Sequence, residues 1–488
     1  MSLSSAAFTP DNQPVSSREL WGYYAFSFAS QGFSGVSVLL LMPVIVRGLA
    51  AEAGWDRLDL SKPCDYTAAN FSCCVQFGSS CVDTGSFLLY LSSFATVCQL
   101  LVLLAFGSLS DYGAHKKRFM ILFSFLAIAC GLGFLLVLSS SGFFIAGILY
   151  ILSSVIFTGT FLFFNSFLPI LARNHPEFTA RASKESTDTV FDLVANRISA
   201  NTMAIGFAAD VILFVLGVLC VYLLGRIPQL PTSTYPSQVA VALTSVWWLV
   251  FIFFTIAWLK PRPGPPLPAG INPWTHCVKK IGRTLKTVVF ESKSVARFLI
   301  SWIIYSDCFN TCGSLSILIA QEEFGASQIE LVLIGIVVNF SAIVGLKLFP
   351  VIQNLTGASS KTIIVAQAIA FCLFAIYCIV LLKNKWELWL CAVWYGILSG
   401  TAQSFCRVFY SRMIPPGQEA EYFSLMSVTA TGSSALGPLI VGAIIDSSGS
   451  RRLPLWFILA SFAVSAVLFA TIQPPHVKLG KAEEADVN

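Results

Sequence analysis

The residues best suited to chemistry in this chain are few, and they sit inside otherwise apolar stretches. Asp307, Asn310, Thr311 and Ser314 fall at i, i+3, i+4 and i+7, one face of a helix. Ser27, Ser30, Gln31 and Ser34 repeat that spacing near the N-terminus, and Ser154, Thr158 and Asn165 form a third stripe. Ser399, Gln403 and Arg407 form a fourth. A carboxyl, a guanidinium and several amides on such stripes suit the binding of a small polar solute or the carriage of a proton. Polar stripes are costly in lipid, so they face a cavity or a bundle interior. Interhelical hydrogen bonding explains any single Ser or Thr, but it explains four stripes less well. No catalytic or metal-ligating constellation stands out, and no Gly-x-x-x-x-Gly-Lys-Ser/Thr loop appears. The chain is therefore read as neither an enzyme nor an ATP-driven machine, with no cofactor.

The elements that must position these residues are membrane helices. Of the 488 residues 56% are hydrophobic and only 11% charged, against roughly 25% charged in a soluble domain. About twelve segments are long and apolar enough to span a bilayer. They lie near 19–46, 85–107, 119–140, 142–170, 199–225, 238–259, 296–320, 328–350, 361–382, 388–412, 423–447 and 453–473. The stripes occupy spans one, four, seven and ten, the opening helix of each successive three-helix unit. The expected fold is an all-α polytopic membrane protein in two six-helix halves. Its parts are a tail (1–18), a first half (19–259), a linker (260–295), a second half (296–473) and a C-terminal tail (474–488).

An even number of spans puts both termini on one side. The tails and the loops after even-numbered spans hold 22 of the 30 Lys and Arg residues, which places both termini in the cytosol. The net charge of +5 reflects this asymmetry and gives no reason to expect nucleic acid. The polar N-terminus has no apolar core followed by a cleavage site, so the first span itself is expected to direct insertion. Four of the 14 cysteines, Cys64, Cys73, Cys74 and Cys81, crowd into the first non-cytosolic loop beside the glycosylation acceptor Asn70-Phe71-Ser72. Both features suit an oxidising compartment. Adjacent Cys73 and Cys74 rarely bond each other, which leaves two disulfide connectivities. The linker opens with a proline-rich extended run from Pro261. From Trp274 to Phe290 it then reads as an amphipathic helix, lying on anionic lipid or on the protein's own base.

Between spans two and three, Gly107, Asp111, Lys116, Lys117 and Arg118 resemble the cytosolic signature of the major facilitator superfamily. The second glycine, Gly113, sits two residues after Asp111 where the usual pattern has three. More specific are Trp394-Tyr395-Gly396 through Arg407, Ile414-Pro415-Pro416-Gly417-Gln418-Glu419, and Gly432 through Pro438. With Val82-Asp83-Thr84, Asn165-Ser166 and Ser301-Trp302 through Asp307, the chain resembles the fungal autophagy-related protein 22 family across most of its length. The resemblance implies the major facilitator fold and a vacuolar membrane carrier that releases amino acids to the cytosol after autophagic breakdown.

For a zwitterionic cargo of the large neutral kind, Asp307 would accept from the ammonium. Arg407 or Asn165 would donate to the carboxylate, and Gln31, Asn310 and Gln403 would complete the hydrogen bonds. Trp302, Tyr305 and Tyr395 would supply apolar walls. Asp307 is also the candidate proton carrier, so protons join amino acids and lipids as expected partners. Two departures bear on coupling: the family's acidic residue in span one is Gln31 here, and its Asp-Lys pair in span eleven is Ala430-Thr431. Asp307 paired with Arg407 is the structural alternative for that carboxyl, and Asp210 in span five lacks stripe neighbours. Glu419 and Glu421 are expected in water or beside Arg412. Asp446 to Arg452 echoes the first signature on the non-cytosolic side. The same stripes suit two other functions. One is a facilitator for another small solute, a sugar or organic ion. The other is a membrane scaffold.

Overall fold

Backbone amides have no water to bond within hydrocarbon, so an apolar chain crosses it as helices that satisfy their own hydrogen bonds. A computed structural model describes residues 13–56, 62–64, 73–77, 80–181, 185–227, 230–266, alternate residues from 280 to 288, 292–434 and 436–473. Asn70, most of both tails and linker residues 267–279 lie outside the described residues. Among the described residues twelve helices follow in order: α1 (Ser17–Glu52), α2 (Thr84–Leu109), α3 (His115–Leu136), α4 (Ser140–Arg181), α5 (Thr187–Leu224), α6 (Tyr235–Trp258), α7 (Lys293–Glu322), α8 (Gln328–Thr356), α9 (Ser360–Leu381), α10 (Glu387–Arg412), α11 (Glu419–Ser448) and α12 (Pro454–Ala470). Ten are long and apolar enough to cross a membrane. Of the other two, α10 carries Glu387, Arg407 and Arg412, and α12 is 17 residues long.

The outside of this bundle is apolar: Leu136, Leu39 and Leu355 are all about four-fifths exposed, while Asn165, Ser199, Thr401 and Ser404 are buried. That inversion of the soluble pattern suits a lipid surround. The halves meet along two seams, α2 against α11 and α5 against α8, with α4 also touching α11 and α10 touching α5. Exchanging α1–α6 for α7–α12 maps each of these contacts onto another, the signature of an internal repeat. Gly107 makes the first seam close, because a Cβ there would run into the Ser424 side chain. Gly107→Leu is expected to force α2 and α11 apart at a cost of about 1–3 kcal/mol. A lower melting temperature in detergent checks this, and an unchanged melt would show that the crossing is loose.

The described ends of the chain gather on one face, called here the linker side. Val15 N–H donates to the Asn174 carbonyl at 2.9 Å, and Ser294 Oγ donates to the Gln473 carbonyl at 2.5 Å. Arg262 donates through Nε and Nη2 to both oxygens of buried Glu19, at 2.9 and 2.8 Å. The start of the linker is pinned to the α2–α3 loop, where Gly113 donates to Pro265 and Gly264 donates to Gly113. Later in the linker Lys280, Thr284 and Val288, spaced four apart, turn toward the protein. Lys280 and Thr284 both bond Glu421, and Val288 is buried. Of the two expected positions for the linker helix, these residues occupy the one on the protein's own base.

On the opposite side a small antiparallel sheet, β1 (Trp55–Asp56), β2 (Cys73–Phe77) and β3 (Ser80–Asp83), crosses the α1–α2 loop. Successive strand residues point to opposite faces. Cys73 therefore pairs with Cys64 and Cys74 with Cys81, one of the two connectivities left open by the sequence.

Two span boundaries need correction by more than two helical turns. Span four was expected to end at 170, yet α4 runs to Arg181, and span five was expected at 199–225, yet α5 begins at Thr187. The polar residues of its first turns, Asp188, Asp192 and Asn196, are partnered by the other half.

Candidate functional site

The linker side is sealed by two matching charge clusters, one on each seam. At the α2–α11 seam the Asp111 carboxylate accepts the N–H groups of Ala420 and Glu421, both at 2.9 Å. It thus caps the first turn of α11 from the other half. Lys116 lies 3.1 Å from Asp111 Oδ1 and donates to Glu419 Oε2 at 2.6 Å. Arg173, the last residue of α4 before its break at Asn174-His175, stands 3.6 Å from Glu419 and donates to the Ile414 carbonyl at 2.5 Å. Burial pushes the Asp111 carboxyl up to about 6, while Lys116 and the two N–H groups pull the other way.

At the α5–α8 seam the roles of the halves are exchanged. Arg412, at the end of α10, stands 2.7 Å from Asp188 and 3.7 Å from Asp192. Asp192 accepts the Ser360 N–H at 3.1 Å, and Asn196 donates to Gln353 and Ser360, both at 2.8 Å. Arg173 and Arg412 thus occupy equivalent ends of equivalent helices, each reaching an acid of the opposite half. Glu419 and Glu421 are not solvated and do not meet Arg412; both are buried, paired with Lys116 and Lys280 respectively. The sequence reading missed Arg173, Asp188, Asp192, Gln353 and Ser360. The i, i+4, i+8 spacing of Asp188, Asp192 and Asn196 was the available signal. Of the two remaining basic members of the first signature, Lys117 donates to the carbonyls of Ile256 and Leu259, and Arg118 is exposed.

Just inside this double gate Arg407 Nη1 donates to Asn165 Oδ1 at 2.7 Å, joining α10 to α4 across the halves. The guanidinium is 6% exposed and lies over the Phe161 ring, and its Nε and Nη2 are buried without a protein acceptor. Away from the linker side three of the four polar stripes become more open, while on α4 Ser154 is buried again beyond half-buried Thr158. Ser27 and Ser30 are buried while Gln31 and Ser34 are half-buried; Arg407 is buried while Gln403 and Ser399 are half-buried. On α7 Asp307 is half-buried and Asn310 and Ser314 are exposed. The two charge clusters close the interior at the linker side.

The structure brings Asn165 and Arg407 together but gives Asp307 and Arg407 no shared hydrogen bond or ion pair among the described residues. Asp307 faces the backbone N–H of Gly437 on α11, where a side chain would collide with Asp307 and Thr311. Asp210 has a matching place in the first half. It packs at the α1–α5 crossing against Gly35, and Gln31 faces its carboxyl. Just past Gln31, α1 widens into a π-helical stretch, Phe33–Leu41, a feature frequent at functional sites. Trp302 is buried, and Tyr395 donates to the Phe309 carbonyl at 3.0 Å, packing α10 on α7. Tyr305 is fully buried among Phe371, Phe462 and Phe469 of α9 and α12. It belongs to the interior of its half, not to the stripe that Asp307 opens.

The fold has solved counterparts. The chain matches the human organic anion transporter MFSD10 (TETRAN) with a TM-score of 0.64 at 12% identity, over 94% of this chain and 100% of that one. It matches FucP in the outward conformation with a TM-score of 0.64 at 13% identity, over 93% and 99%. Twelve helices in two interchangeable halves around a polar interior make up the major facilitator fold that these structures share. The family described as vacuole effluxer Atg22 like matches residues 15–482, and the chain belongs to it. Its relatives include autophagy-related protein 22 of Neurospora crassa, 27% identical over 97% of this chain and 73% of that protein. Autophagy-related protein 22-2 of Emericella nidulans is 29% identical over 92% and 89%.

Proposed function

We propose that this transporter exports amino acids, large neutral ones foremost, from the vacuole lumen to the cytosol by alternating access. The linker side then faces the cytosol, as the bias of 22 of 30 basic residues supports. The side bearing the paired cysteines and the Asn70 acceptor faces the lumen. In this reading the closed linker-side seams leave the route accessible first from the lumen.

One observation carries the reading: a buried guanidinium at the floor of the polar interior with two N–H-bearing atoms left unbonded by the protein. A desolvated Arg of this kind fits a carboxylate, whose two oxygens take its donors as a pair. Asp307, with one carboxyl oxygen unpartnered, accepts the ammonium. It is also the first candidate to carry a proton from an acidic lumen. Asn310, Gln31 and Gln403 line the route between them.

The test is flux of labelled leucine in proteoliposomes, challenged with unlabelled leucine, tyrosine, lysine, glucose and 4-methylpentanoate, with and without a proton gradient. Leucine and tyrosine are expected to compete, glucose not at all, and the desamino acid weakly. Equal competition by 4-methylpentanoate would reassign the site to organic anions and remove Asp307 from recognition. Flux indifferent to the gradient would remove protons from the mechanism.

A further inference from the structure

A second polar cavity lies outside the transport route, on the lipid-facing flank of the α5–α8 seam. This crevice of about 360 Å³ is lined by Arg197 and Asn201 of α5, Lys347 and Asn354 of α8, and Glu177 and Arg181 at the end of α4. The α5 pair is one turn apart and the α8 pair two turns apart, so the polar groups form two facing columns. Arg181 and Arg197 share Glu177, and Arg181 also reaches Glu185. Lys347 differs. Its ammonium donates to Asn201 Oδ1 at 2.7 Å, and among the described residues no carboxylate lies within ion-pair distance of it.

Its surroundings make that cation unusual. Val344, Val351 and Leu355, on the same helix, are 45%, 53% and 80% exposed, and such an apolar outward face belongs against acyl chains. Lys347 stands nine residues before Thr356, the last residue of α8, or about 13 Å along a helix. A lysine at that depth beside lipid is costly without a countercharge. The crevice supplies cations and amides for an anionic group, an apolar wall beneath them, and an opening to the side. Basic pockets between helices on the inner leaflet suit anionic headgroups.

We propose that the α5–α8 crevice binds the phosphate of an anionic phospholipid from the linker-side leaflet, with Lys347 and Arg197 holding it. Because Arg197 belongs to the first half and Lys347 to the second, a bound headgroup bridges the seam that Arg412, Asp188 and Asp192 close from within. The inference concerns the flank of the protein and does not depend on which cargo is carried.

Native mass spectrometry of the full chain in detergent tests it, titrating phosphatidic acid with phosphatidylcholine as the neutral comparison and glycerol 3-phosphate as the soluble source of the same group. Phosphatidic acid is expected to bind in preference to phosphatidylcholine. The double variant K347Q/R197Q should lose about tenfold or more of that affinity, while K383Q, on the other side of the membrane, loses none. The single variant K347M, which suits a lipid surround, keeps the result readable should the double variant fold poorly. It should also weaken phosphatidic acid binding. Undiminished binding by K347M, or equal binding of the two lipids by the wild type, would overturn the proposal. Full displacement of the lipid by glycerol 3-phosphate would overturn the lipid assignment in favour of a soluble anion.

Discussion

Glu419→Gln is expected to unlock the linker side. The side chain is almost wholly buried between Lys116 and Arg173, and Lys116 is itself 1% exposed. Removing one partner of a buried pair leaves the other charge desolvated and uncompensated, a cost of about 3–5 kcal/mol. Asp111, 3.1 Å from the same ammonium, offsets part of it, so the lower end applies. A loss of about 3 kcal/mol in the closed state alone shifts the closed-to-open ratio about a hundredfold. A cysteine introduced at Ser404, which is bonded to Ser199 across the seam, reports that shift. Its labelling by a water-soluble thiol reagent should rise by a similar factor in Glu419→Gln and little in Glu330→Gln, an acid whose partner Lys385 is exposed on the far side. Equal labelling in wild type and Glu419→Gln would mean that the cluster does not hold the gate.

The second large effect is expected at Arg407. Arg407→Ala removes a buried cation with two unbonded N–H-bearing atoms, so the protein should fold and melt near or above the wild-type temperature. Transport should not survive. Losing a paired, charge-assisted donor to a carboxylate costs about 3–4 kcal/mol, or two to three orders of magnitude in leucine flux at limiting substrate. Arg407→Lys keeps the charge but not the planar fork and should recover only a small part. Wild-type flux in Arg407→Ala would reduce Arg407 to a packing residue over Phe161 and Asn165. Loss of folding in both variants would assign it a structural role.

The membrane helices, their order and the polar stripes were legible in the sequence because hydrocarbon imposes a length and a composition that the chain cannot disguise. The Gly107–Asp111–Lys116 signature was legible too, since a charged turn between two apolar helices stands out. The partners of those charges were not. Asp188, Asp192 and Glu419 look like loop acids because a single sequence does not show that the other half supplies their counter-ions. Tyr305 falls two residues from Asp307, and only the packing of α9 and α12 shows that it turns away. Gln31 illustrates the converse. It removes the carboxyl that the family resemblance leads one to expect on α1, yet it faces Asp210 across the α1–α5 crossing. An acid is therefore retained near that place on a neighbouring helix.

The central claim is that the two linker-side seams part once in each transport cycle. Asn196 and Gln353 touch across one of them at 2.8 Å. Replacing both by cysteine and bridging them with a short bis-thiol reagent should abolish leucine counterflow in proteoliposomes, and reductive cleavage of the bridge should restore it. Undiminished counterflow with the bridge in place would contradict the account, because cargo would then cross without that seam opening.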